Sequence, residues 1–246
     1  MRIAAYQARL QSWEMAEAVR VIGEQVATCE RVGVDILCCP EAVLGGLADY
    51  ATQPHAIALR VEDGSLQRVL TPLESSRVTT IVGFTESGAD GCLYNSAAVF
   101  SEGRVAGVYR KLHPTIRSSV YSPGHRLPLF EANGVRFGIV ICRDSTFAEP
   151  AKRLAAQGAQ ILFVPTNNGL PTDRASRCIV DEARQCDIKW AGECGMYVVR
   201  ADVAGEANGL VSYGSSAIID PKGAVLRIAT SQGEELLVAD FIDAVQ

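Results

Sequence analysis

The chain has 246 residues, 48% of them hydrophobic and 21% charged, with a formal net charge of −5 and a pI near 5.3. That length suits one domain, residues 1–246, with a sizeable core, and the acidic balance gives no electrostatic case for nucleic acid or an anionic membrane. No apolar stretch approaches the roughly 20 residues that span a bilayer, and residues 1–7 lack the pattern of a secretory signal, so a cytoplasmic protein is expected.

In chain order, residues 2–8 read as a strand and residues 13–32 as an amphipathic helix, with Ala18, Val19, Ile22, Val26 and Cys29 on one face and Gly33 as its stop. Residues 35–39 form a short, almost continuous apolar run, the mark of a strand buried on both faces. A helical stretch over 64–77 leads to a strand at 79–84. Strands at 93–100 and 104–109 flank a Ser101-Glu-Gly turn as a hairpin. Residues 111–126 are a long loop without periodicity, a length that in a compact domain is usually functional. A strand at 135–141, a helix at 146–157 closed by Gly158, a strand at 160–164 and a long helix at 172–192 follow. The remainder is β: 196–203, 215–219, 224–228 and 236–240, with Asp220-Pro-Lys-Gly223 as a turn. Helix–strand alternation mixed with hairpins predicts two sheets covered by helices.

Three residues carry the chemistry. Glu41, Lys111 and Cys142 each sit at or just beyond the end of a strand-like run, where α/β proteins gather reactive groups around a cleft. A carboxylate, an ammonium and a thiol together supply a base, an electrophilic clamp and a nucleophile, enough for acyl transfer through a thioester. The opening of a helix and a neighbouring cation would favour the Cys142 thiolate. The remaining cysteines, with no secretory signal and no C-x-x-C pair, read as reduced thiols. The three histidines make no H-x-x-x-H or H-E-x-x-H pattern, so no transition-metal site is expected, and acyl transfer through a thioester needs no cofactor. His113, two residues past Lys111 and with Asp144 to orient it, offers a Cys–His dyad as a competing arrangement.

Four segments in order resemble the nitrilase, or carbon–nitrogen hydrolase, superfamily: Pro40-Glu41 with Gly45-Gly46, Tyr109-Arg-Lys-Leu-His113, Gly138-Ile-Val-Ile-Cys-Arg-Asp-Ser-Thr-Phe-Ala-Glu149, and Gly214-Ser-Ser-Ala-Ile-Ile-Asp-Pro-Lys-Gly223. In the third segment Ala148 stands where the family usually has proline. The resemblance implies a four-layer αββα sandwich of two mixed sheets flanked by helices, assembling as a homodimer or higher homo-oligomer. It implies Cys142 as nucleophile, Glu41 as general base and Lys111 as oxyanion clamp, with the backbone N–H of Arg143 as second donor. The expected activity is hydrolysis of a small carboxamide or N-carbamoyl compound; Asp144, in place of the Trp-Glu pair of true nitrilases, leans away from nitriles, which remain the alternative substrate. Many members carry a second glutamate four residues ahead of an aromatic-x-Pro-Gly segment. Here that segment is Tyr121-Ser-Pro-Gly124, and counting back gives Arg117. The helper acid is then missing or supplied elsewhere, Glu131 and Glu149 being available in sequence. Either Arg117 binds a substrate carboxylate, or the protein is a weakened binding or regulatory relative. Tyr121, Asn167 and Asn168 are the other candidate substrate contacts.

Overall fold

A computed structural model describes residues 1–11, 14–114, 119–230 and 232–242. The first sheet has nine strands: β1 (Arg2–Arg9), β2 (Ile36–Cys38), β3 (Thr79–Ser87), β4 (Leu93–Ser101), β5 (Arg104–Arg110), β9 (Leu170–Pro171), β11 (Val203–Ala207), β12 (Leu210–Tyr213) and β15 (Glu235–Asp240). The second has six: β6 (Leu129–Ala132), β7 (Val135–Ile139), β8 (Ile161–Pro165), β10 (Tyr197–Ala201), β13 (Ala217–Ile219) and β14 (Val225–Ile228). Both are mixed. β1, β2 and β3 run parallel, whereas β3–β4–β5 is an antiparallel meander. β7, β8 and β10 run parallel, with β6 antiparallel beside β7 and β13 antiparallel beside β10.

Side-chain alternation explains the layering. Ile3 and Ala5 of β1, with Ile36 and Cys38 of β2, face the second sheet, while Ala4, Tyr6, Leu37 and Cys39 face helices α1 (Met15–Arg31) and α2 (Ser65–Leu70). The second sheet buries Phe137, Ile161 and Val199 in the same inner core, which continues to Leu154 of α3 (Ala148–Ala156) and Trp190 of α4 (Arg177–Cys194). The result is the expected four-layer αββα sandwich. Among the described residues no helix is long and apolar enough to cross a membrane.

Several predicted boundaries move. Strands β6, β9 and β12 lie outside the expected elements, although two of them carry a readable signal. Asn133-Gly134 and Asn208-Gly209 have φ of 51°/77° and 53°/74°, the paired left-handed conformation of a tight hairpin turn. The run 196–203 was expected as one strand and is two. β10 belongs to the second sheet and β11 to the first, so the chain changes sheets at Asp202. The helix expected from residue 146 begins at Ala148, because Cys142–Thr146 forms a separate 3-10 turn and Phe147 is extended. The helix expected at 172 starts at Arg177, where the Ser176 hydroxyl caps it by accepting the Cys178 N–H.

Candidate active site

Glu41 enters the site on a tight turn after β2. Its neighbour Ala42 has φ +50°, a sparsely populated conformation for a residue with a side chain. The turn lies flat on β3: a Cβ on Gly83 would come within 2.4 Å of the Ala42 nitrogen and the Pro40 oxygen, so only glycine fits beneath. Lys111 follows β5 and is fixed by its backbone N–H, which donates to Asn95 O at 2.8 Å. The two side chains then meet inside the protein, 1% and 3% exposed, with Lys111 Nζ donating to Glu41 Oε1 at 2.5 Å. The carboxylate also accepts Asn95 Nδ2 at 2.7 Å and the backbone N–H of Asn167 at 2.9 Å. A buried charge is tolerable when paired and hydrogen-bonded in this way.

Cys142 stands at the mouth of the second sheet. Its φ of +46° is strained for a non-glycine residue, and the surrounding turn holds it there. Asp144, fully buried, accepts from Ile141 N at 3.1 Å on the nucleophile turn. From the lysine loop it accepts Tyr109 Oη at 2.6 Å and His113 N at 2.8 Å. One carboxylate thus ties the strand end carrying Cys142 to the one carrying Lys111. On the other side Ser145 Oγ donates to Cys142 O at 2.8 Å, and Arg200 Nη2 donates to Ser145 Oγ at 2.8 Å. Arg200 is 2% exposed, forks onto Asp187 at 2.7 and 2.6 Å, and reaches Thr166 Oγ1 at 2.7 Å. Thr166 O in turn accepts the Glu41 N–H at 3.3 Å. The guanidinium therefore braces both the turn that carries Cys142 and the backbone of Glu41.

Electrostatics depart from expectation. Burial, reinforced by the Glu41 charge, pushes the Cys142 thiol up to about 12, against the opposing pull of Lys111 and Arg200. Desolvation thus outweighs the nearby cations and favours the neutral form of the Cys142 thiol. Burial pulls Lys111 the other way, but the charge of Glu41 and its hydrogen bond hold the ammonium above its ordinary range, so it stays protonated.

A cavity of about 220 Å³ is lined by Glu41, Lys111, Cys142, Arg143, Tyr121, Asn167 and Asn168 together. It brings every predicted site residue into one place except Arg117, which lies outside the described residues. The Arg143 N–H precedes the first hydrogen bond of the 3-10 turn, Asp144 N to Ile141 O, so no bond of that turn consumes it. The Tyr121 hydroxyl is already engaged, accepting Ala48 N at 2.7 Å and lying 2.7 Å from Thr85 Oγ1, which leaves its ring as the wall. Asn167 serves Glu41 through its backbone, while its side chain accepts Gly169 N at 3.0 Å as a turn residue would. Asn168 Oδ1 is 3.7 Å from Cys142 Sγ. His113 does not compete for the thiol: its ring stacks on Phe147 at 4.0 Å and its Nδ1 is 3.0 Å from Asp144 Oδ1. Neither alternative acid reaches the cavity. Glu149 pairs with Arg153 on the surface and Glu131 is exposed on β6; the other carboxylates on the wall are Asp49 and Glu182.

Asn95, Arg200 and Asp202 escaped the sequence reading. The signal for the last two was a charged pair interrupting the apolar run Tyr-Val-Val-Arg-Ala-Asp. Asn95 sits in a strand with no such mark.

Comparison with known proteins shows the family and the fold. The family model described as carbon-nitrogen hydrolase matches residues 2–245. A protein of Pseudomonas protegens described as "Hydrolase in pqqF 5'region" is 31% identical over 99% of this chain and 83% of its own length. An (R)-stereoselective amidase of a Pseudomonas species is 32% identical over 82% of this chain and 70% of its own. Among solved structures, the NitN amidase from Neterenkonia sp. AN1 superposes with a TM-score of 0.84 at 23% identity, covering 99% of this chain and 94% of that one.

Proposed function

Because the chain belongs to the carbon–nitrogen hydrolase family, we propose that it is a thiol amidohydrolase that cleaves a small carboxamide or N-carbamoyl compound at Cys142. The observation that carries this reading is the buried Lys111–Glu41 contact on the wall of a cavity that Cys142 also lines. Glu41 takes the thiol proton as Sγ attacks the carbonyl carbon. The carbonyl oxygen gains the negative charge, and Lys111 Nζ with the Arg143 N–H are the donors aimed at it. Glu41 then passes the proton to the nitrogen as the C–N bond breaks, leaving a thioester on Cys142. It next removes a proton from the water that hydrolyses that thioester, and the thiol returns with the carboxylic product.

A neutral resting thiol fits a mechanism in which deprotonation accompanies attack instead of preceding it. The cavity volume of about 220 Å³ favours small substrates. The reading also places the protein in the cytoplasm, acting without a metal or cofactor on free small molecules as a homodimer or larger homo-oligomer.

Intact-mass spectrometry tests it. Incubation with a panel of short primary amides is expected to release ammonia and leave an acyl adduct in the wild type, with none in Cys142→Ala. Ammonia from a nitrile and none from the matching amide would make it a nitrilase. Neither adduct nor turnover anywhere in the panel would favour a binding or regulatory relative.

A further inference from the structure

The orientation of one side-chain amide in the cavity is dictated from behind. Asn168 Nδ2 donates to Asp202 Oδ2 at 3.0 Å and Ser215 Oγ at 3.2 Å, and the Asn168 backbone N–H donates to Asp202 Oδ1 at 3.1 Å. Ser215 Oγ sends its own hydrogen to Asp202 Oδ2 at 2.6 Å, so Asn168 meets its lone pairs. The same carboxylate accepts the backbone N–H groups of Ser215 at 2.9 Å and Val203 at 2.8 Å. Asp202 and Ser215 are 0% and 1% exposed. Turning the Asn168 amide over would press its carbonyl against a carboxylate and strip both donors of their acceptors, at the cost of unmade buried hydrogen bonds. Its Oδ1 therefore has one direction left, toward the cavity, where it stands 3.7 Å from the reacting sulfur.

The anchors are rigid. Asp202 is the residue at which the chain crosses between sheets, Ser215 precedes β13, and Asn168 follows β8. Precise polar groups are best carried on such supports. In the resting protein Oδ1 accepts the Cys142 S–H. Once that proton has moved to Glu41 and Sγ has bonded to the carbonyl carbon, the leaving nitrogen is two bonds from the sulfur. An acceptor at that distance from Sγ then faces the hydrogens of this nitrogen.

We propose that Asn168 is a specificity-determining residue whose Oδ1 accepts an N–H of the scissile group, selecting primary and secondary amides over esters and tertiary amides. This rests on the thiol amidohydrolase reading and adds no proton transfer to it: Glu41 carries the proton, and Asn168 only accepts a hydrogen bond. An ester or tertiary amide has no hydrogen on its leaving atom and leaves Oδ1 unpaired against lone pairs or a methyl group. Sites built to bind a substrate N–H discriminate in this way.

The test uses one acyl group presented as a primary amide and as its methyl ester, with kcat/KM measured for wild type, Asn168→Ala and Ser215→Ala. Asn168→Ala is expected to lower the amide value by roughly tenfold or more while the ester value changes by less than about twofold. Ser215→Ala, which keeps the asparagine but removes one of its two anchors, should move the ratio the same way by less. Thermal melting and iodoacetamide labelling of Cys142 report whether each variant folds; if Asn168→Ala does not, Ser215→Ala decides alone. Equal losses for amide and ester, or an unchanged ratio, would overturn the inference. A wild type that turns over neither substrate and carries no acyl adduct would instead remove the amidohydrolase reading, and this inference with it.

Discussion

Two buried ion pairs each reach the wall of the same cavity, and they differ in what they leave unused. Lys111–Glu41 and Arg200–Asp187 are almost equally hidden, with side-chain exposures of 3% and 2% against 2% and 1%. Burial alone cannot tell them apart. Arg200 places four hydrogen bonds, two on Asp187 and one each on Thr166 and Ser145, and so is nearly saturated. Among the described residues the Lys111 ammonium makes one, to Glu41, which leaves two N–H groups for the oxyanion role proposed above. The saturated pair acts as scaffold, whereas the unsaturated one keeps the donors that the proposed chemistry requires. Burying charge is costly in both cases, and what each gives in return differs: one fixes geometry, the other keeps donors dry beside the cavity.

Breaking the scaffold pair should produce the largest effect on folding. Arg200→Met strands Asp187 without a counter-charge and is expected to cost about 3–5 kcal/mol in urea denaturation. The double variant Arg200→Met/Asp187→Leu should recover much of that loss, because no unpaired charge remains. If the double variant is as unstable as the sum of the singles, the two residues are not coupled and the scaffold role is wrong. The reactive pair should behave in the opposite sense. Lys111→Met leaves Glu41 with its bonds from Asn95 and Asn167, which softens the damage to stability. Its kcat should nevertheless drop by roughly 10²–10³ with KM little changed, the signature of a donor used only in the transition state. A raised KM with intact kcat would mean that Lys111 binds ground-state substrate instead.

The same contrast explains how much of the molecule was legible. Strand-end residues announce themselves, because Glu41, Lys111 and Cys142 interrupt or terminate apolar runs and the fold makes such ends converge. The layered architecture was legible for a related reason: near-continuous apolar strands such as 35–39 need cover on both faces. What stayed hidden depended on contacts between segments distant in sequence. Nothing within 196–203 says that the chain leaves one sheet for the other at Asp202, since the β pattern continues across the switch. Asn95 looks like any polar residue in a half-buried strand until Glu41 arrives from 54 positions away. The raised thiol was not legible either, because a helix entrance is a local feature, whereas desolvation is a property of the assembled core.

That last difference gives the finest test of the comparison. A thiol ordinarily near 9 that is raised to about 12 in the folded chain keeps its proton where the unfolded chain has lost its own. Between these values the unfolded state binds fewer protons, so stability is full below pH 9 and falls as pH rises toward 12. The slope is about 1.4 kcal/mol per pH unit for one group. Cys29, also raised to about 12, contributes in the same direction, so the wild-type slope alone does not isolate the site. The difference between wild type and Cys142→Ser does, and it should amount to one proton. Alkylation by iodoacetamide gives a kinetic counterpart, with the Cys142 rate climbing past pH 10 instead of levelling near 9. Glu41→Gln should shift that profile toward lower pH, since it removes the charge that opposes the thiolate, whereas Lys111→Met should shift it upward. A profile that levels near 9 in all three proteins would mean that the sulfur is not electrostatically joined to the reactive pair, and the two ion pairs would then be scaffold alike.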